Sequence, residues 1–330
     1  MGCTKFAFAG FRHDHITVLY KALGKREDAC IVGAWEGDKD ARAAAEKKGI
    51  VFTYETLDQL LADPEVEVVA IGDYFGARGN IAIRALRAGK HVLADKPLCT
   101  SLEELDIIRK EAQASGLAVG MMLDLRDNPR LYTAMEAIRS GVIGKISAVC
   151  FEGQHPLWYD ARPGWYFEEG KHGGVINDIA IHGIDILRYI TGGNVAKVHA
   201  ARCWNFYADR HPQFDDCAQL MLEMENGAGV VGDVSYAAPD VQLFGLPTYW
   251  HFRVWGDKGL LDFGVNIPEV TLYAKGEQGG RVLETVTPEK NYLDNFLDVL
   301  PCPEARAAYT RNNLESQAQT LLVQKVADEA

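Results

Sequence analysis

The alternation of short apolar runs with helix-forming spacers through the first third of the chain constrains the fold more than any other feature. "KFAFAG", "ACIVGAWE", "VEVVAIGD", "HVLAD" and "LAVGMML" have strand character, and "DKDARAAAEKKG", "TLDQLLADP", "RGNIAIRALRAGK" and "SLEELDIIRKEAQASG" lie between them. The spacers carry N-cap candidates at Asp38, Thr56 and Ser101 and stop signals at Gly49, Gly89 and Gly116. Strands that alternate with helices in this way predict βαβ units and a parallel, doubly wound sheet.

After about residue 123 the pattern changes. "NPRLYTAMEAIRSG" predicts a helix, "GKISAVCFEGQ" a strand and "GGVINDIAIHGIDILRYITGG" a long helix. From Val195 to Ala274 strand-like segments follow one another, which predicts a mainly antiparallel sheet, and two helical segments close the chain. At 330 residues two domains are expected. The expected organisation is α/β throughout: a parallel-sheet domain over 1–123, then an α/β domain with an open sheet over 124–330.

A net charge of -12 argues against nucleic acid as a partner, because phosphate-backbone binders present a basic footprint. No apolar run approaches the roughly 18 residues of a membrane span, and the chain opens directly on a strand without a leader-like segment. The seven cysteines are scattered and never spaced C-x-x-C, so they are read as reduced thiols in a cytoplasmic protein.

Three stretches bear on chemistry. In "FAFAGFRHDHI", Gly10 stands where the first strand-to-helix turn of a nucleotide-binding domain needs backbone without a side chain, although Arg12 occupies the place of a second glycine. Glu36 ends the second strand 26 residues later, where a carboxylate accepts ribose hydroxyls and repels a 2′-phosphate. In "HVLADKPL", Lys96 lies at the carboxyl end of a strand, and Pro97 keeps it extended. In the long helix, Asp178, His182 and Asp185 recur at i, i+4 and i+7 on a strongly apolar background, where an Asp and a His one turn apart can pair. "HDH" at 13–15 suggests a metal, but the two imidazoles are expected to point apart, so no metal site is assigned. "RPGWYFEEGKHGG" supplies Arg162, Trp165 and Tyr166 just before the long helix, aromatic faces and donors that suit a carbohydrate.

"AGKHVLADKPL", "GGVINDIAIHGIDILRYITG" and "NPRLYTAMEAIRSGVIGKI" together resemble, in order and over essentially the whole chain, the motifs of the Gfo/Idh/MocA family of sugar oxidoreductases. The resemblance implies an N-terminal Rossmann domain, a C-terminal α/β domain with an open antiparallel sheet, and a nicotinamide cofactor, NAD in preference to NADP. It assigns Lys96, Asp178 and His182 to catalysis and Gly10, Phe11, Arg12, His13, Glu36, Asp73 and Lys96 to the cofactor. Arg162, Trp165, Tyr166, His182 and Asp185 fall to the substrate, with helix support as the alternative role of Asp185. The family's E-K-P is D-K-P here, the proline that usually ends the fourth strand is replaced within "GDYFGARGN", and the glycine-rich turn is shorter. The implied function is an oxidoreductase that interconverts a secondary alcohol and a ketone on a sugar or polyol, working as a dimer or tetramer joined through the C-terminal sheet. A redox-assisted glycosidase or lyase with tightly held NAD, and a non-catalytic cofactor or sugar sensor, are the alternatives.

Overall fold

The computed structural model describes residues 2–330, which divide into two compact units. The first runs to Met122 and is completed by Pro163–Gly173 and Leu293–Ala318; the second comprises Leu123–Arg162, Gly174–Tyr292 and Gln319–Ala330.

In the first unit, strands β1 (Thr4–Ala9), β2 (Ala29–Trp35), β3 (Val68–Ile71), β4 (His91–Ala94) and β5 (Val119–Met121) form a parallel sheet in the order β2-β1-β3-β4-β5. Helices α1 (His15–Leu23), α2 (Lys39–Glu46), α3 (Leu57–Ala62), α4 (Phe75–Arg87) and α5 (Leu102–Ser115) provide the crossovers. The expected caps are in place. Asp38 accepts from the Ala41 N–H at 2.9 Å, Thr56 from Gln59 at 3.2 Å and Ser101 from Glu104 at 3.1 Å. Every residue of β3 is buried, as a central parallel strand requires.

Cys3 and Cys30 form a disulfide, with Cα atoms 5.7 Å apart. This corrects the reading of all seven cysteines as thiols. The cause is sheet register: β1 pairs with β2 so that Lys5 faces Cys30, and Cys3, two residues before Lys5 and on the same face, lies diagonally across from Cys30. A separation of 27 residues carries no such cue.

The second unit contains α6 (Pro129–Arg139), β6 (Ile146–Pro156), α7 (Ile181–Thr191), β7 (Val195–Trp204), β8 (Cys217–Met224), β9 (Gly229–Ala238), β10 (His251–Gly256), β11 (Gly259–Gly264), β12 (Val270–Ala274) and β13 (Arg281–Leu283). Its sheet order is β13-β12-β11-β10-β6-β9-β8-β7, antiparallel except where β6 runs parallel to β9. One turn of π-helix, Ile176–Ala180, leads into α7. Helix α8 (Tyr292–Val299) and the long α9 (Pro303–Asp328) close the chain, and Thr310 and Asn313 of α9 accept from the Val119 and Met121 N–H groups at the edge strand β5. Among the described residues no helix is long and apolar enough to cross a membrane.

Candidate functional site

In the first unit the candidate residues gather at the carboxyl ends of β1 to β4. Gly10 has φ +86°, and a Cβ there would lie 2.6 Å from that of Asp73, so the β1–α1 turn approaches the β3–α4 turn with no room for a side chain. Phe11 donates its N–H to Glu36 Oε2 at 2.6 Å, and Asp38 donates to Oε1 at 2.8 Å. Arg12 stands among three carboxylates, 3.5 Å from Glu36, 3.3 Å from Asp38 and 3.9 Å from Asp73. Burial and the neighbouring Glu36 push Asp73 up to about 6, against its bond from the Tyr74 N–H and the Arg12 charge.

Lys96 is buried beyond the end of β4, joined to Pro97 by a cis peptide bond. The fully buried Arg78, which the sequence reading did not single out, locks this turn. Its guanidinium donates to the carbonyl oxygens of Asp73 at 2.7 Å, Lys96 at 2.7 Å and Pro97 at 3.0 Å, and to Asp95 Oδ2 at 2.9 Å. Asp95 therefore serves as an anchor. Burial would raise it, but Arg78 and His13 outweigh that and hold it well below the usual carboxylate range.

The expectation that His13 and His15 point apart is corrected. Their rings lie 4.4 Å apart, and both approach Asp95, His13 Nδ1 at 2.5 Å and His15 Nδ1 at 3.4 Å. The helix proper begins at His15, so His13 belongs to the turn and is free of helical i, i+2 geometry. Burial pushes His13 down to about 4, which keeps it neutral. Trp165 and Tyr166 also belong to this unit: Trp165 Nε1 donates to the Arg12 carbonyl at 3.3 Å, and Tyr166 packs near His13 and Phe75.

These residues fit a dinucleotide. A carboxylate has about four lone-pair positions, and the two N–H groups and Arg12 leave Glu36 room for a ribose hydroxyl. The turn at Gly10 presents backbone at a helix start, where phosphate is favoured.

In the second unit the π-turn and α7 carry Asp178, His182 and Asp185, all buried. Tyr236 on β9 donates its hydroxyl to Asp178 Oδ2. Sequence reasoning missed this tyrosine, which lies 58 residues away. His182 packs edge-on to Trp250, ring centroids 5.7 Å apart. Arg126 grips Asp185 with both arms of its guanidinium and lies over the ring of Tyr189, 4.5 Å from its centre. Of the two roles implied for Asp185, this pairing supports the helix. Arg162 braces the end of β6 through the Leu157 and Pro156 carbonyls, at 2.9 and 3.1 Å.

The second unit thus holds a buried carboxylate and a buried imidazole four residues apart on the π-turn and α7, and the first unit a backbone turn at a helix start. Two family models match these units in turn: the oxidoreductase family with NAD-binding Rossmann fold over residues 5–122, and the GFO/IDH/MocA C-terminal domain over 131–262. The chain belongs to the Gfo/Idh/MocA family. Myo-inositol 2-dehydrogenase of Thermotoga maritima is 28% identical over 265 residues, 80% of this chain and 72% of that protein. Against several other curated relatives the chain matches about half of their length. A solved protein from Erwinia carotovora atroseptica superposes with TM-score 0.85 at 26% identity, covering 98% of each chain. Levoglucosan dehydrogenase in complex with NADH and levoglucosan gives 0.77 at 19% identity, covering 99% of this chain and 96% of that one, which shows the shared fold. The family is one of NAD-binding oxidoreductases, and matched relatives are named as sugar and polyol dehydrogenases.

Proposed function

We propose that this protein is an NAD-dependent dehydrogenase that interconverts a secondary alcohol and a ketone on a sugar, polyol or sugar derivative. The observation that carries this reading is the burial of Asp178 and His182, four residues apart on the π-turn and α7: they are 4% and 7% exposed, and an aspartate and an imidazole kept this far from water are held at a cost that catalysis explains.

In this reading His182 takes the hydroxyl proton of the substrate, and Asp178, fixed by Tyr236, orients the imidazole and balances the charge it acquires. Lys96 stabilises the developing alkoxide. Bound NAD supplies the acceptor for the hydride that leaves the same carbon. Gly10, Phe11, Arg12, His13, Glu36 and Asp73 hold the cofactor, and Glu36 selects NAD, since a 2′-phosphate would set a second negative charge beside a buried carboxylate. Arg162, Trp165, Tyr166 and His182 are the substrate residues of this reading, Trp165 also bracing the cofactor turn through its bond to the Arg12 carbonyl. The compartment this reading implies is the cytoplasm, where NAD is recycled, although the Cys3–Cys30 disulfide removes the reduced-thiol ground for it.

The working form is a homo-oligomer, dimer or tetramer, joined through the open sheet. Its outward face carries exposed Met221 and Val231 as a cross-strand pair of β8 and β9, with Tyr273 and Val282 also exposed on β12 and β13. Apolar cross-strand pairs left to water are what a partner copy would cover.

Replacing Lys96 with Met or His182 with Asn tests the mechanism. Each is expected to lower turnover by about 10² or more while NAD binding survives. Near-normal turnover of His182→Asn would remove it from the reaction.

A further inference from the structure

Within the second unit, side chains run in a continuous series of contacts from His182 round to Asp178. His182 meets Trp250 at 5.7 Å, and Trp250 meets His155 at 5.7 Å. His155 meets Phe244 at 5.8 Å, and Phe244 meets Trp158 at 5.2 Å. Arg162 lies over Trp158 at 5.2 Å and over Tyr236 at 5.5 Å, and Tyr236 ends the circuit on Asp178. Burial falls along it, from Trp250 at 1% exposed to Phe244 at 38%. The circuit thus leads from the acid–base pair out to aromatic edges in contact with water.

A second observation marks the same place. Among the described residues the three non-glycine positions with positive φ are Trp158 at 47°, Leu243 at 50° and Trp250 at 58°. All three lie on or beside this circuit. Large side chains avoid the left-handed region, and backbone held there against its preference collects at ligand sites. The loops that carry them are tied down: the Trp158 N–H donates to Asp240 at 2.9 Å, and Asn266 donates to the Leu246 carbonyl at 2.9 Å and to that of Phe244. Phe244 and Leu243 are therefore held towards solvent by the fold itself, Leu243 at 58% exposed.

We infer that Trp158 and Phe244 form a second subsite, and that the substrate is a glycoside whose oxidised sugar reaches His182 while a second ring attached to it rests against these two side chains. This rests on the dehydrogenase reading above. The ring is one with an apolar face, either the C–H face of another sugar or an aryl group, since both stack on aromatic side chains. Arg162, pinned by two carbonyls, keeps Trp158 in its orientation.

The test is NADH formation by the intact protein on matched sets in the gluco, galacto and xylo configurations: the free sugar, its methyl glycoside, its phenyl glycoside and a disaccharide, with myo-inositol alongside. In the configuration that is oxidised, kcat/KM for the phenyl glycoside or the disaccharide should exceed that for the methyl glycoside by about tenfold. A phenyl preference assigns an aryl group to the subsite, a disaccharide preference a second sugar. Phe244→Ala, and separately Phe244→Leu and Trp158→Ala, should bring that ratio towards unity through KM. Oxidation of free sugars, methyl glycosides or inositol with no gain from the second ring, or a gain untouched by these changes, overturns the subsite and leaves the dehydrogenase reading standing. If nothing in the panel yields NADH, both fall.

Discussion

Alanine at Gly10 should disable the cofactor turn for two separable reasons. The φ of +86° costs an L-residue about 1–2 kcal/mol. The new Cβ would also lie 2.6 to 2.7 Å from the Asp73 Cβ, Cα and N atoms, and two of these three are backbone that cannot swing away; overpacking of this kind costs about 1–3 kcal/mol. Less chain entropy in the unfolded state returns up to about 1 kcal/mol, so the net loss should be near 3 kcal/mol, or roughly 6–12 °C in the transition of this unit. Two other glycines of the same unit separate the components. Gly49 has φ +88° with nothing within 4 Å of a Cβ, so Gly49→Ala isolates the backbone cost. Gly72 has no such φ, but its Cβ would meet Ile16, so Gly72→Ala isolates the collision. Thermal unfolding with and without NAD reads all three. NAD at about a hundred times its Kd should add roughly 2.7 kcal/mol to the wild type and to Gly49→Ala, and far less to Gly10→Ala. Equal stability of Gly10→Ala and Gly49→Ala, with the NAD gain intact, would refute the close-approach argument.

Three further outcomes follow from particular groups. Burial, with Arg306 nearby, holds His91 down to about 4, and its Nδ1 accepts the Ala118 N–H at 2.8 Å. Because its folded value lies below the unfolded 6.5, that stabilisation is complete above pH 6.5 and is lost as pH falls towards 4. With an allowance for partial exposure it amounts to about 2 kcal/mol, and His91→Gln should flatten that limb of a urea-unfolding series. Cys30→Ser opens a 27-residue link and should cost about 3 kcal/mol relative to the oxidised wild type; equal midpoints with and without reductant would contradict the bond. Glu36→Ala removes the acceptor of two N–H groups and should narrow the preference for NAD over NADP by about tenfold in calorimetric titration. An unchanged preference would mean that the carboxylate serves the turn alone.

The first unit was the more legible because local rules govern it. Alternation fixed a parallel sheet, and Asp38, Thr56 and Ser101 cap the helices expected of them. What sequence spacing could not reach was pairing across strands and turns. Cys3 and Cys30 meet through β1–β2 register, and β6 and β9 pair in parallel with a long stretch of chain between them. His13 escapes the helical spacing assumed for it because α1 begins two residues later. Asp178, His182 and Asp185 were visible as polar positions on an apolar helix. Their partners Tyr236 and Arg126 were not, since neither lies on that helix and neither stands in a motif. Arg78 was equally hidden: a buried arginine that bonds four oxygens in two turns has no local signature.

The most direct test of the central claim is to incubate the purified protein with NAD and a panel of aldoses, inositols and glycosides and follow NADH. The account predicts that at least one member reduces NAD, and that His182→Asn and Lys96→Met lower that rate by about 10² or more while still binding NAD. NADH formation at the same rate in His182→Asn, or its absence with every sugar and polyol while NAD is bound, would contradict it.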